Sequence, residues 1–178
     1  LQDRFNVLAF PQNILAVNGS DVVILAVKPQ VMREALTPIA TAVSHNRSLL
    51  ISIAAGITIE SIDIWVDGNP AVVRVMPNMP ALIRTGVSAL FANNRVTETQ
   101  RCLAEDIMQA VGTTVWINDE SLMDIITAIS GSGPAYYFYL MDLVVINLVS
   151  SQIFLVLKII NILLSGQLLL QMLMKYQI

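Results

Sequence analysis

From residue 21 to residue 27 the chain reads D-V-V-I-L-A-V, an apolar run without alternation that stops at Lys28-Pro29. A strand with one wet face alternates polar and apolar side chains, whereas a strand covered on both faces does not. Residues 49–53 and 71–76 repeat the unbroken pattern, and residues 86–91 and 113–117 read as further strands. Between them the period changes to that of helices. Val31, Met32, Ala35, Leu36, Ile39 and Val43 fall on one helical face, with Pro38 expected to kink or restart that helix and Thr37 to cap it. Thr58 is placed to cap a second helix. Thr97 and Gln100 form a capping-box pattern for a third, which runs through Cys102, Leu103 and Ile107 and is expected to stop at Gly112. Ahead of these, residues 1–5 read as the end of a helix, 6–10 as a short strand, and 14–17 as a helical turn closed by Asn18-Gly19. Strands alternating with helices predict βαβ units and a doubly wound, mostly parallel α/β sheet over residues 1–119. The beginning of a helical domain is expected over residues 120–178.

Composition narrows the function classes. Hydrophobic residues make up 55% of the 178 residues and charged residues 13%, with a net charge of −3. No basic run or patch is present, which argues against nucleic acid as a partner. Cys102 is the single cysteine, so there is neither an internal disulfide nor a cysteine metal motif. His45 is the single histidine and stands in a polar S-H-N-R stretch, expected to be a solvated loop, so hydrolase triads are disfavoured. The chain opens on Leu1, with no signal peptide expected before the first strand, and it reads as a fragment.

Ligands of a doubly wound sheet bind at the carboxyl ends of its strands. The segments there are Lys28-Pro29, Ala54-Ala55-Gly56 and Met76-Pro77-Asn78, all small or proline-fixed. A fourth stretch, T-A-I-S-G-S-G-P-A-Y at residues 127–136, starts helical, is expected to break at Gly131-Ser132-Gly133, and restarts at Pro134, where a missing N–H costs nothing. Together with A-V-K-P (26–29), S-I-A-A-G (52–56) and R-V-M-P-N (74–78), this string resembles the signatures of the pyrroline-5-carboxylate reductase family, in family order and over residues 1–142.

The resemblance implies a Rossmann-like fold and an NADP- or NAD-dependent reduction of 1-pyrroline-5-carboxylate to L-proline in the cytoplasm. It places Ala26, Val27, Lys28 and Pro29 along the nicotinamide and its ribose, and Ala54, Ala55 and Gly56 on the other side. Asn13 matches a position near the adenosine ribose, and Asn78 one where an amide holds the nicotinamide or a backbone turn. Ser130, Ser132 and Gly133 become the substrate-proximal candidates, and no metal is implied. Lys28 and Arg74, taken without the resemblance, read as solvated strand-end charges. Family members are homo-oligomers through their helical domain.

Two departures accompany the resemblance. The chain contains no G-x-G-x-x-G turn to hold a pyrophosphate, so its first strand corresponds to the family's third. After Asp142 nothing resembles the family, and no S-P-G-G-T-T loop for the substrate carboxylate follows. Residues 143–178 are an Ile/Leu/Val-rich string containing only Lys158 and Lys175 as charges. Out-of-frame translation is the preferred reading of this tail, ahead of a membrane anchor or a buried dimerisation helix. On that basis the chain by itself is expected to be inactive. The rivals are another reductase of the β-hydroxyacid dehydrogenase-like group and a non-catalytic remnant with a membrane-associating tail.

Overall fold

A computed structural model describes residues 2–66 and 68–150. Five strands form one sheet in the order β1-β2-β3-β4-β5: Val22–Leu25, Leu49–Ser52, Ala71–Met76, Gly86–Ala92 and Gly112–Trp116. β1, β2 and β3 pair in parallel, with Leu25, Ser52 and Arg74 in register across them. β4 runs antiparallel to β3, and β5 runs parallel to β4. The unbroken apolar runs are therefore central strands, and the sheet is mostly parallel as their pattern predicts. The reversal at β4 has a simple cause. Residues 77–85 hold only a 3-10 turn (Met79–Ile83), too short for the crossover of about a dozen residues that a parallel strand requires.

Eight helices accompany the sheet among the described residues: α1 Gln2–Phe5, α2 Asn13–Val17, α3 Met32–Leu36, α4 Ala40–Asn46, α5 Ile59–Val66, α6 Glu98–Gln109, α7 Leu122–Ile126 and α8 Gly133–Ser150. One core lies between the sheet and α2–α5, where Met32, Leu36, Val43 and Ile62 pack on Val23, Leu25, Leu50 and Val72. The other lies under α6, where Ala104 and Met108 pack on Leu49, Ile51, Val73, Val75 and Leu90. Both faces of β2 and β3 are thus dry, which explains the lack of alternation.

Several local expectations need correction. Residues 6–10 form no strand and are exposed; no described strand lies beside them, and an extended segment needs a neighbour to satisfy its backbone. Pro38 does interrupt its helix, with a 3-10 turn at Thr37–Ile39 between α3 and α4. Thr37, however, is not a cap: its hydroxyl donates back to the Arg33 carbonyl at 2.8 Å. His45 is exposed as expected but sits in the last turn of α4 rather than in a loop. The Thr97 capping box is present in full, while α6 ends at Gln109, before the expected stop. Gly112 instead begins β5 at φ 148°, where a Cβ would collide with the Gly86 carbonyl of the neighbouring strand.

No break occurs at Gly131-Ser132-Gly133. Thr127–Ser132 is a π-helical turn and α8 follows directly at Gly133. The wider turn shifts the hydrogen-bond ladder by one residue, which accommodates the missing N–H of Pro134 without ending the helix. Two compact units are distinguished, Leu1–Ser132 and Gly133–Ile178. The expected break at Leu143 falls inside α8, and residues 151–178, to which most of the readings of the tail apply, lie outside the described residues. Among the described residues no helix is long and apolar enough to cross a membrane.

Candidate functional site

Parallel register brings the ends of β1, β2 and β3 to one edge of the sheet. Leu25 and Ser52 are the last residues of β1 and β2, and the Ile53 N–H donates to the Leu25 carbonyl at 3.3 Å just past them. Ala26-Val27-Lys28 and Ile53-Ala54-Ala55 therefore leave the sheet side by side. Lys28 is exposed and extended (φ −60°, ψ 141°) ahead of a 3-10 turn that starts at Pro29. Ala54 is buried, Ala55 partly buried, and Gly56 is exposed at φ 73° with nothing near the place of a Cβ. Three residues no larger than alanine leave this edge low and open, a surface suited to a flat ring.

Asn13, the first residue of α2, reaches the same region. A cleft of about 290 Å³ between α2 and β1 is lined by Asn13, Ala16, Ser20, Val22, Val27 and Ala35, among others. It joins Asn13 and Val27, which the sequence had placed at opposite ends of one dinucleotide. No carboxylate lines it. The second cleft, about 740 Å³, lies by the carboxyl end of β4 and contains Glu60, Asp63 and Glu120. It contains none of the sequence-predicted residues, and its carboxylates disfavour a phosphate.

At the end of β3, Asn78 is partly buried and both ends of its amide are engaged. Its Oδ1 accepts the Val87 N–H at the start of β4 (2.9 Å), and its Nδ2 donates to the Ser130 hydroxyl (3.2 Å). Beside it Gly131 lies against Met76; a Cβ on Gly131 would stand 2.6 Å from the Met76 methyl. The π-turn is thus seated on the end of β3, and Ser130 joins the strand-end segments. Ser132 closes that turn, and Gly133 opens α8.

Two features escaped the sequence reading. Arg74 is not a solvated strand-end charge: it is 6% exposed within the sheet, and its guanidinium meets Glu120 at 2.6 Å. The same carboxylate oxygen accepts the Ile59 N–H at 2.8 Å, so it also caps the start of α5. A lone arginine in a β-branched run was the available signal, because a buried cation needs a partner. The Asn78–Ser130 bond joins residues far apart in sequence, and no spacing rule predicts it.

A mostly parallel sheet, wound by helices on both faces and open at its strand ends, defines a Rossmann-type α/β domain. Residues 1–56 match the family described as NADP oxidoreductase, coenzyme F420-dependent, and residues 120–152 match pyrroline-5-carboxylate reductase dimerisation. The second match continues past Asp142, so the family pattern outlasts the break expected there. A pyrroline-5-carboxylate reductase of Haemophilus influenzae is 44% identical over 139 residues, which are 78% of this chain and 51% of that protein. The solved pyrroline-5-carboxylate reductase of Coxiella burnetii superposes with a TM-score of 0.76 at 33% identity, covering 96% of this chain and 64% of that one. A Plasmodium falciparum pyrroline carboxylate reductase, solved with NADP bound, superposes at 0.71 with 32% identity over 80% of this chain and 53% of that one. The chain belongs to the pyrroline-5-carboxylate reductase family. It spans about half the length of the curated relatives it matches.

Proposed function

We propose that the protein reduces 1-pyrroline-5-carboxylate to L-proline, with NADPH or NADH as hydride donor. The observation that carries this reading is the strand-end edge, where the family's segments stand together in a chain 44% identical to a reductase of that name. When bound, the cofactor supplies a hydride to the imine carbon, and the imine nitrogen takes up a proton. The residues present fit its nicotinamide end. Ala26, Val27 and Pro29 form one wall, Ala54, Ala55 and Gly56 the other, and the exposed ammonium of Lys28 offers charge to a ribose or phosphate oxygen. Asn13 borders the same cleft.

This chemistry demands little acid–base machinery. The protein has to hold two reactants in contact and exclude water, and such positioning accounts for much of the rate of a hydride transfer. Ser130 and Ser132 supply hydroxyls close to the strand ends for the substrate's carboxylate. Among the described residues no group of three or more histidine, cysteine or acidic residues is placed to hold a metal ion. We further infer a homo-oligomer in the cytoplasm. α8 exposes Tyr136, Tyr137, Phe138 and Leu140, and the dimerisation match covers this helix. A dehydrogenase of the β-hydroxyacid type is not favoured, since α8 carries no lysine.

The test is a chimera in which residues 1–139 of this chain replace the matched half of the Haemophilus influenzae reductase. Consumption of NADPH that depends on 1-pyrroline-5-carboxylate, with equal formation of proline, is the expected result. A folded chimera that binds NADPH and forms no proline would sink the proposal.

A further inference from the structure

The orientation of the Asn78 amide is fixed by its neighbours. The Val87 N–H can only donate, so the amide oxygen must face it, and the NH2 group must then face Ser130. A serine hydroxyl has one proton and two lone pairs. With an N–H already aimed at its oxygen, Ser130 cannot return its own proton to Asn78. Among the described residues no other acceptor takes that proton.

Thr127, three positions earlier in the same turn, shows the ordinary alternative. Its hydroxyl donates to the Met123 carbonyl at 2.7 Å, the usual fate of a hydroxyl on a helix. Ser130 makes no such bond. Contact between Gly131 and Met76 holds the turn in place, so the hydroxyl stays at the end of β3, beside the edge described above.

We propose that Asn78 is a positioning residue that holds Ser130 as a hydrogen-bond donor toward a ligand oxygen. That oxygen is either the carboxylate of the imine substrate or the carboxamide of the nicotinamide, which share the same acceptor chemistry. The inference rests on the reading in the preceding subsection. Asn78→Asp isolates it: the Val87 bond is kept, while the group facing Ser130 changes from donor to acceptor. The Ser130 proton then turns toward the new carboxylate and is withdrawn from the ligand.

The test uses the full chain with Asn78→Asp, Asn78→Ala, Ser130→Ala and the Asn78→Asp/Ser130→Ala double variant. Without ligand, the Asn78 side-chain amide protons are followed by NMR and should shift in Ser130→Ala. With ligand, L-proline and NADPH are titrated separately to millimolar concentration. Asn78→Asp should melt with the wild type, and only Asn78→Ala should melt earlier. Asn78→Asp and Ser130→Ala should each weaken one ligand about tenfold, the worth of one hydrogen bond, and the double variant no further. Loss confined to proline assigns the oxygen to the substrate carboxylate, and loss confined to NADPH assigns it to the carboxamide. Plain charge repulsion gives a different result, since the Asn78→Asp loss would then persist in the Ser130→Ala background; that outcome overturns the proposal, as does wild-type affinity in Asn78→Asp. Amide protons indifferent to Ser130→Ala overturn the pairing itself. A wild-type chain that binds neither ligand, with the amide protons still responding, overturns the functional reading and the ligand half of this inference with it.

Discussion

Arg74 and Glu120 meet at 2.6 Å, one in the middle of the sheet and the other in the loop after β5. The arginine side chain is 7% exposed and the glutamate 28%. A charge buried to that extent persists because its partner is fixed, and here the partner also satisfies the first N–H of α5. Strand β3, the loop after β5 and helix α5 are held by one carboxylate.

Removing that carboxylate leaves a buried guanidinium and an open helix start. Glu120→Ala should therefore destabilise the protein by about 2–4 kcal/mol, toward the lower part of the range for broken buried pairs because Glu120 is partly wet. Denaturant unfolding measures it. A loss below about 0.5 kcal/mol, the level of an ordinary surface change, would show that solvent already screens the pair.

The sheet was legible because burial on both faces removes alternation, and residues 21–27, 49–53 and 71–76 all show this. What the pattern could not give was direction: the reversal at β4 follows from a short connection, and residues 77–85 carry the same Pro/Asn punctuation that a longer loop would. The 6–10 segment shows a second limit. Its composition suits a strand, yet a strand exists only through its neighbour. Glycine and proline at 131–134 were misread for a third reason, since a π-turn absorbs the residues that ordinarily end a helix. At the site, strand-end segments could be placed from the fold rule alone. Asn78 with Ser130, and Arg74 with Glu120, are pairings across the fold, and local sequence carries no trace of them.

Adjacent residues on β1 should differ sharply. Leu25 is 5% exposed and packs in the α2–α5 core, whereas Ile24 is 48% exposed on the opposite face. Leu25→Ala should cost about 2–5 kcal/mol through lost burial and a cavity. Ile24→Thr should stay within about 0.5 kcal/mol, as surface changes do. Equal effects in thermal or urea unfolding would mean that β1 is covered on both faces.

Acid should weaken the α6–β5 contact. Glu105 accepts the Trp116 indole N–H and the Thr114 hydroxyl, both at 3.1 Å, and these bonds hold its carboxyl below the ordinary range, with Gln109 and Arg101 adding to the effect. The folded-state value lies below the unfolded one, so the stabilisation is complete above the ordinary glutamate value of about 4.3 and is lost as pH falls through the depressed value. Asp119, lowered by the Ser121 N–H and hydroxyl, acts in the same direction. Glu105→Gln should flatten the fall of stability in this acid window. An unchanged slope in pH-dependent melting would show that the unfolded chain keeps the same contacts.

The strand-end edge makes the sharpest prediction about ligand binding. Ala55 is partly buried between buried Ala54 and open Gly56, and nothing larger than a methyl group stands on that wall. A leucine at 55 adds three carbons at the surface, where the core need not move to make room, so the fold should tolerate it. A nicotinamide lying against the wall should not, because ring and side chain would compete for the same space. In the chimera, Ala55→Leu should leave the melting temperature in place and weaken NADPH binding at least about tenfold, about 1.4 kcal/mol. Lys28→Ala should weaken it less, since an exposed ammonium adds only screened attraction and its effect fades as salt is raised. Leucine at 55 with undiminished NADPH affinity would mean that the ring lies elsewhere and that the A-A-G segment serves the fold alone.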